Sequence, residues 1–340
     1  MRIRIIGIFL LLSLIPGMAG CKRNPYRVNI SAVSVGVEIT RLEKDIFEPD
    51  PLAIPAAIND LRKKYGTFLQ LFSYVINTGI VSDTSFSSSL VHFCTDKLNN
   101  EVYQSVMQLY PDVTAIENDL DKAFRHYKYY FPEKSVPLLY TCITGFNNSM
   151  IIGDSVIGIG LDRYLGQESE YYKRLQIYRY LAMRMNPGNI VPDCIYAWGT
   201  SEWDLALMGY GKDDVMTEMI HEGKLRYFQR CMMPDLSDTV LFGYTADQMK
   251  FCRNNEMQMW HYLVEHDLLF SSDQFTIRKL VGEAPFTTFF TNESPGRASA
   301  WLGFRIIESY MMKNRNVSLE EMMKNTDIQG ILTASRYDPK

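Results

Sequence analysis

Two rhythms of apolar residues organise this chain. From Pro51 to Ser73, the residues Ile58, Leu61, Tyr65, Phe68 and Phe72 return every three or four positions, which predicts a helix with one face in the core. The same spacing predicts helices over Leu90–Leu109 and Val113–Tyr130. Strict alternation in Val33-Ser34-Val35-Gly36-Val37-Glu38-Ile39 predicts a first strand, and Val136–Ile143 is a second β-rich run. Met150–Asp162 reads as two strands around a Gly153-Asp154-Ser155 turn. Helical spacing then covers Tyr171–Met185, after which Pro187-Gly188 and Pro192 punctuate the chain. A helix is expected to begin after Gly211 with Asp213 or Asp214 as its cap, followed by helices over Thr245–Phe270, Arg297–Lys313 and Ser318–Lys324. With no repeat or long linker, the expected architecture is one α+β domain, mostly helical, with a small central β-sheet.

The first residues follow another logic. Arg2 and Arg4 precede an apolar stretch from Ile5 to Ile15, and Met18-Ala19-Gly20 lead into Cys21. This is the pattern of a lipoprotein signal peptide over residues 1–20, with Cys21 as the residue that carries the lipid. Residues 21–32 then read as a lipidated tether and 33–340 as the domain, held close to a membrane.

A formal net charge of -4 and dispersed basic residues exclude the electrostatic footprint of a nucleic-acid binder. The later cysteines, Cys94, Cys142, Cys194, Cys231 and Cys252, form no C-x-x-C pair, so they are expected as buried thiols rather than a zinc or redox site. Glu117, Asp119 and Asp121 alternate and read as a solvated surface. No serine-centred or cysteine-centred triad is recognisable, and Gly158 and Gly160 lie in an alternating strand rather than a phosphate loop.

The candidate chemistry lies in Thr217-Glu218-Met219-Ile220-His221-Glu222-Gly223-Lys224-Leu225. A His-Glu-x-x-His helix binds zinc because residues four apart project to one side, so two imidazoles share the ion while the glutamate activates water. Here Leu225 occupies the second ligand position. His221 and the downstream Glu256 remain as possible metal ligands with Glu222 as a general base, but no third ligand is evident. On a helix His261 falls roughly 140° around from Glu256, and His266 is far along the axis.

Together, Gly158-Ile159-Gly160-Leu161-Asp162-Arg163-Tyr164-Leu165-Gly166, Ile220-His221-Glu222-Gly223-Lys224, Asn255-Glu256 with Trp260, Ser294-Pro295-Gly296-Arg297 with Trp301-Leu302-Gly303, and the closing Ser335-Arg336-Tyr337-Asp338-Pro339 resemble the gliding-motility lipoprotein GldB family of Bacteroidetes. The resemblance spans nearly the whole mature chain. It implies a lipid-anchored envelope protein that supports gliding or the type IX secretion machinery by binding envelope proteins, on a degenerate zinc-metallopeptidase-like fold. The family itself carries His-Glu-Gly-Lys, so no catalysis and no cofactor are expected; zinc held by His221 and Glu256 in a peptidase is the alternative. The absence of acidic residues in Lys22-Arg23-Asn24 implies a periplasm-facing anchor.

Without a metal, a buried carboxylate needs another positive partner or a proton. The candidate cleft is therefore His221, Glu222, Lys224, Glu256 and Arg297. Residues two apart do not face each other on a helix, which favours Arg297 over Lys224 as the cation that bridges to Glu222 or Glu256. If a peptidase-like layout persists, the strands at 150–162 would lie beside the His221 helix and accept an extended segment by strand addition.

Overall fold

A computed structural model describes residues 24–340. The signal peptide and the lipidation of Cys21 lie outside the described residues. Among those residues no helix is long and apolar enough to cross a membrane.

The chain opens with a short strand, β1 (Ile39–Arg41), and the helices α1 (Leu42–Phe47), α2 (Ile54–Tyr65), α3 (Thr67–Val75), α4 (Phe86–Thr95), α5 (Lys97–Leu109) and α6 (Thr114–Tyr130). Two helices expected to be continuous are broken. Gly66, at φ 51°, ends α2 and starts α3, and the Asp96 carboxylate accepts the Asn99 amide to begin α5. The strand expected over 33–39 is regular only from Ile39. Asp121 accepts the Gly36 amide at 2.9 Å, and Glu117 accepts the Ile39 amide at 2.9 Å. Glu117 and Asp121, four apart on α6, thus satisfy an incoming extended backbone; of the three acids expected at a solvated surface, only Asp119 is plainly exposed.

The sheet follows with β2 (Leu138–Cys142), β3 (Met150–Gly153) and β4 (Val156–Gly160), in spatial order β1-β2-β4-β3. β2 runs parallel to both β1 and β4, and β3 closes antiparallel on β4. Alternate side chains enter different cores. Tyr140 and Cys142 pack with α2, α3 and α4, while Leu139, Ile157 and Ile159 join the larger helical core on the other side. At Gly158 a Cβ would lie 2.2 Å from the Phe68 ring, so this strand glycine lets α3 press on the sheet.

The larger layer contains α7 (Glu170–Arg174), α8 (Arg179–Ala182), α9 (Ile190–Glu202), α10 (Val215–Met232), α11 (Asp238–Phe242), α12 (Ala246–Asn254), α13 (Glu256–Glu265), α14 (Gln274–Val281), α15 (Ala298–Lys313), α16 (Leu319–Lys324) and α17 (Ile328–Ser335). The helix expected over 171–185 is two short ones with Gln176 at φ 55° between them. Pro192, read as punctuation, sits in the first turn of α9, where a missing N–H leaves no helical bond unmade. The expected helix over 245–270 divides at Asn255, and Asp214 caps α10 as anticipated. The five cysteines among the described residues are unpaired and buried.

Nearly all of α10 is buried, because α6, α9, α14 and α15 pack around it. Its closest neighbour is α15. A Cβ on Gly303 would lie 1.7 Å from the Met219 carbonyl oxygen, and one on Gly223 would lie 2.3 Å from the Gly303 carbonyl carbon. Backbone therefore meets backbone at this crossing. On the other side, a Cβ on Gly199 of α9 would come within 2.9 Å of the Phe228 ring.

Gly303→Ala forces α10 and α15 apart and is expected to destabilise the protein by about 3 kcal/mol or more. Chemical unfolding of the mature domain measures this; a loss below 1 kcal/mol would contradict the backbone contact.

Candidate functional site

His221 and Lys224 project from α10 towards the loop that precedes it. Tyr210 sits there between Gly209 (φ 70°) and Gly211 (φ 76°), conformations that favour glycine. The Tyr210 hydroxyl lies 2.9 Å from His221 Nδ1, and Lys224 Nζ donates to the same hydroxyl at 3.3 Å. Lys224 also donates to the Asn325 carbonyl, which ties α10 to the α16–α17 connection. The Tyr210 hydroxyl thus joins the lysine amine to the imidazole ring. Burial pushes His221 down to about 4 and Lys224 down to about 7. The imidazole is neutral at physiological pH.

Glu222 belongs to a different neighbourhood. Tyr196 of α9 donates to Glu222 Oε1 at 2.7 Å, and Arg226, one turn on, brings Nε to 4.0 Å from Oε2. Arg226 is fully enclosed: its guanidinium carbon stands 3.9 Å from the Tyr196 ring centroid, and Nη1 donates to the Leu241 carbonyl at 2.9 Å. Glu222 Oε2 and Arg226 Nη2 nevertheless lack hydrogen-bond partners. Arg297 pairs instead with Glu283, Nη1 to Oε1 at 3.1 Å. Its backbone, at φ 59°, begins α15, where the Thr287 hydroxyl accepts the Ala298 amide at 3.0 Å. Leu225, in the place of a second zinc ligand, is buried and packs towards Gly199.

Glu256 is drawn elsewhere again. Arg305 Nε lies 3.0 Å from Glu256 Oε1, and the Tyr337 hydroxyl donates to that oxygen at 2.8 Å. Arg305 also pairs with Glu308, which accepts from the Tyr26 hydroxyl at 2.6 Å. Tyr26, Glu256, Arg305 and Glu308 line a cavity of about 390 Å³ at the C-terminal end of α10, together with Arg230, Asp238, Arg253 and Trp301. His261 and His266 are exposed.

The five cleft residues read from the sequence thus find different direct partners: His221 and Lys224 share Tyr210, Glu222 meets Tyr196 and Arg226, Arg297 pairs with Glu283, and Glu256 with Arg305. Among the described residues no three His, Cys, Asp or Glu side chains group as a metal site. The two candidate zinc ligands are not brought together, since His221 turns to Tyr210 while Glu256 turns to Arg305 and Tyr337. Sequence reading overlooked Arg226, although its position four after Glu222 was a signal. It also overlooked Tyr210, flanked by two turn-forming glycines, and Tyr196 and Arg305, whose roles arise only from tertiary packing.

A second cavity, of about 430 Å³, lies under the loop before α10 and is lined by Leu205, Tyr210, Asp213, Thr217 and Glu218 among others. Burial, then the nearby Asp213 and Glu222 charges, push the Glu218 carboxyl up to about 7. The strands at 150–160 are not placed beside α10. Instead α9 packs on β3 and β4 and also on α10.

A family model described as gliding motility protein GldB matches residues 23–339. The chain belongs to the GldB family. It is a gliding-motility-associated lipoprotein of the cell envelope. No curated protein and no solved structure matches it. In this GldB chain Gly223 of His221-Glu222-Gly223-Lys224 and Gly303 of Trp301-Leu302-Gly303 meet at one helix crossing, which gives the two motifs a shared structural purpose.

Lys224 makes stability depend on pH in a defined sense. Its folded pKa of about 7 lies below the ordinary lysine value near 10.4, so between those values the unfolded chain holds the extra proton. Stability should therefore rise from pH 7 to about 9.5, and below pH 7 the folded protein bears the full cost of the buried cation. Lys224→Met is expected to flatten this rise in denaturant titrations; an unchanged slope would refute the assignment.

Proposed function

We propose that this GldB-family lipoprotein acts without catalysis, as a periplasm-facing docking protein for components of the gliding or type IX secretion machinery, on a degenerate metallopeptidase-like fold. The observation that carries this reading is the division of its polar groups. His221, Glu222, Glu256 and Arg297 each have a different internal partner, namely Tyr210, Tyr196, Tyr337 and Glu283, so they do not converge on one point.

The open cleft before α10 suits a protein partner better. Leu207 on its loop is 86 % exposed, and Asp213 and Glu218 supply carboxylates at the cavity wall. A partner segment with an apolar side chain beside a lysine or arginine fits this surface, because a cation would restore the charge on Glu218.

Leu207→Asp and Glu218→Lys are expected to abolish gliding or secretion in a complemented deletion strain at unchanged protein level. Glu222→Gln is expected to retain at least half of wild-type function. Stoichiometric zinc in the purified protein that disappears in His221→Ala, or a peptide-hydrolysing activity that Glu222→Gln removes, would overturn the reading in favour of a metal-dependent hydrolase.

A further inference from the structure

We propose that the face around the cavity lined by Arg230, Glu256 and Arg305 lies directly on the phospholipid surface, so that the domain is held in one orientation rather than swinging from its lipid. The inference rests on the lipoprotein reading of Cys21. It depends on how the chain continues from that residue.

Only three peptide steps separate Cys21 from Asn24, a span of at most about 11 Å even when fully extended. Asn24 is already bound to the domain: its side-chain amide donates to the Pro234 carbonyl at 2.7 Å, just past α10. Tyr26 follows, with its hydroxyl on Glu308 and its ring edge-on to Tyr227 at 5.5 Å between centroids. Residues 24–26, expected as part of a free tether, are a docked segment. The lipid is thereby fixed close to the C-terminal end of α10, and the domain cannot rise far from the bilayer.

The surface there suits headgroups that carry both signs. Arg230, Arg253 and Arg305 alternate with Asp238, Glu256 and Glu308 around the 390 Å³ cavity, which Tyr26 and Trp301 also line. Trp301 and Arg230 are buried in the cavity wall, whereas the half-buried Tyr26 carries its polar edge to the level where headgroups favour aromatic rings, and the long stems of the exposed Arg253 and half-buried Arg305 can carry their guanidinium groups outward. On the other side of Pro234 a smaller cavity, about 210 Å³, is lined by Met232, Met233 and Leu236 with Asp119 and Lys122 at its edge. A polar pocket and an apolar one thus flank the attachment point.

Site-specific fluorescence in vesicles tests the orientation. The five cysteines among the described residues are buried and the thiol of Cys21 is taken up by the lipid in the full lipoprotein, so single cysteines introduced at Asp119 and Lys250, near the proposed face, and at Leu52 and Leu207, away from it, can be labelled selectively. The full lipoprotein would be reconstituted in phosphatidylethanolamine and phosphatidylglycerol vesicles containing headgroup-nitroxide lipid. Labels at positions 119 and 250 should be quenched at least threefold more than those at 52 and 207, and Asn24→Gly with Tyr26→Ser should erase the difference. Equal quenching at all four positions on vesicle-bound protein would overturn the docked face. A difference that survives the double substitution would equally overturn the role of the 24–26 segment. Protein that fails to float with vesicles and carries no acyl mass on Cys21 would remove the anchor, and with it the lipoprotein reading itself.

Discussion

The contact between the backbones of α10 and α15 governs the rest of this molecule. Because Gly223 and Gly303 have no side chains, the helices approach until carbonyl and Cα atoms touch, and every residue near the crossing inherits its direction from that approach. His221 and Lys224 are turned to Tyr210, Glu222 to α9, and Leu225 to the space that Gly199 leaves open. A motif that reads as half a zinc site is therefore also a packing element. The glycine beside the glutamate explains as much of the local geometry as the histidine does.

Much of the architecture was visible in residue spacing. The mixture of helices around a small sheet, the strands at 138–142 and 150–160, the Asp214 cap and the long helix after Arg297 follow from periodicity and capping chemistry. Breaks within helices were harder, because Gly66, Asp96 and Asn255 leave the apolar period intact while changing the axis. Pro192 misled for the opposite reason: as a residue type it interrupts helices, but within the first turn it is harmless. The extended segment at 33–38 was legible as extended, yet nothing in its alternation revealed that two acids of α6 would receive its amides.

The site was legible as a set of residues and illegible as an arrangement. The physical requirement that enclosed carboxylates find cations anticipates the guanidinium groups beside Glu222 and Glu256, but not that they would be Arg226 and Arg305. One of these partners is four residues away and the other forty-nine. Only the first falls within the reach of helical spacing. Glu222 Oε2 and Arg226 Nη2, without hydrogen bonds inside the protein, mark the point at which this internal charge pair is least satisfied.

Tyr337 gives the fold an order of completion. It holds Glu256, which shares Arg305 with Glu308, and Glu308 holds Tyr26, so four side-chain contacts join Tyr337 to Tyr26. A chain delivered across a membrane from its N-terminus emerges with Tyr26 early and Tyr337 last. The clasp between them closes only after the whole domain has been released, and the end farthest from the lipid in sequence becomes a fastening for the end that carries it.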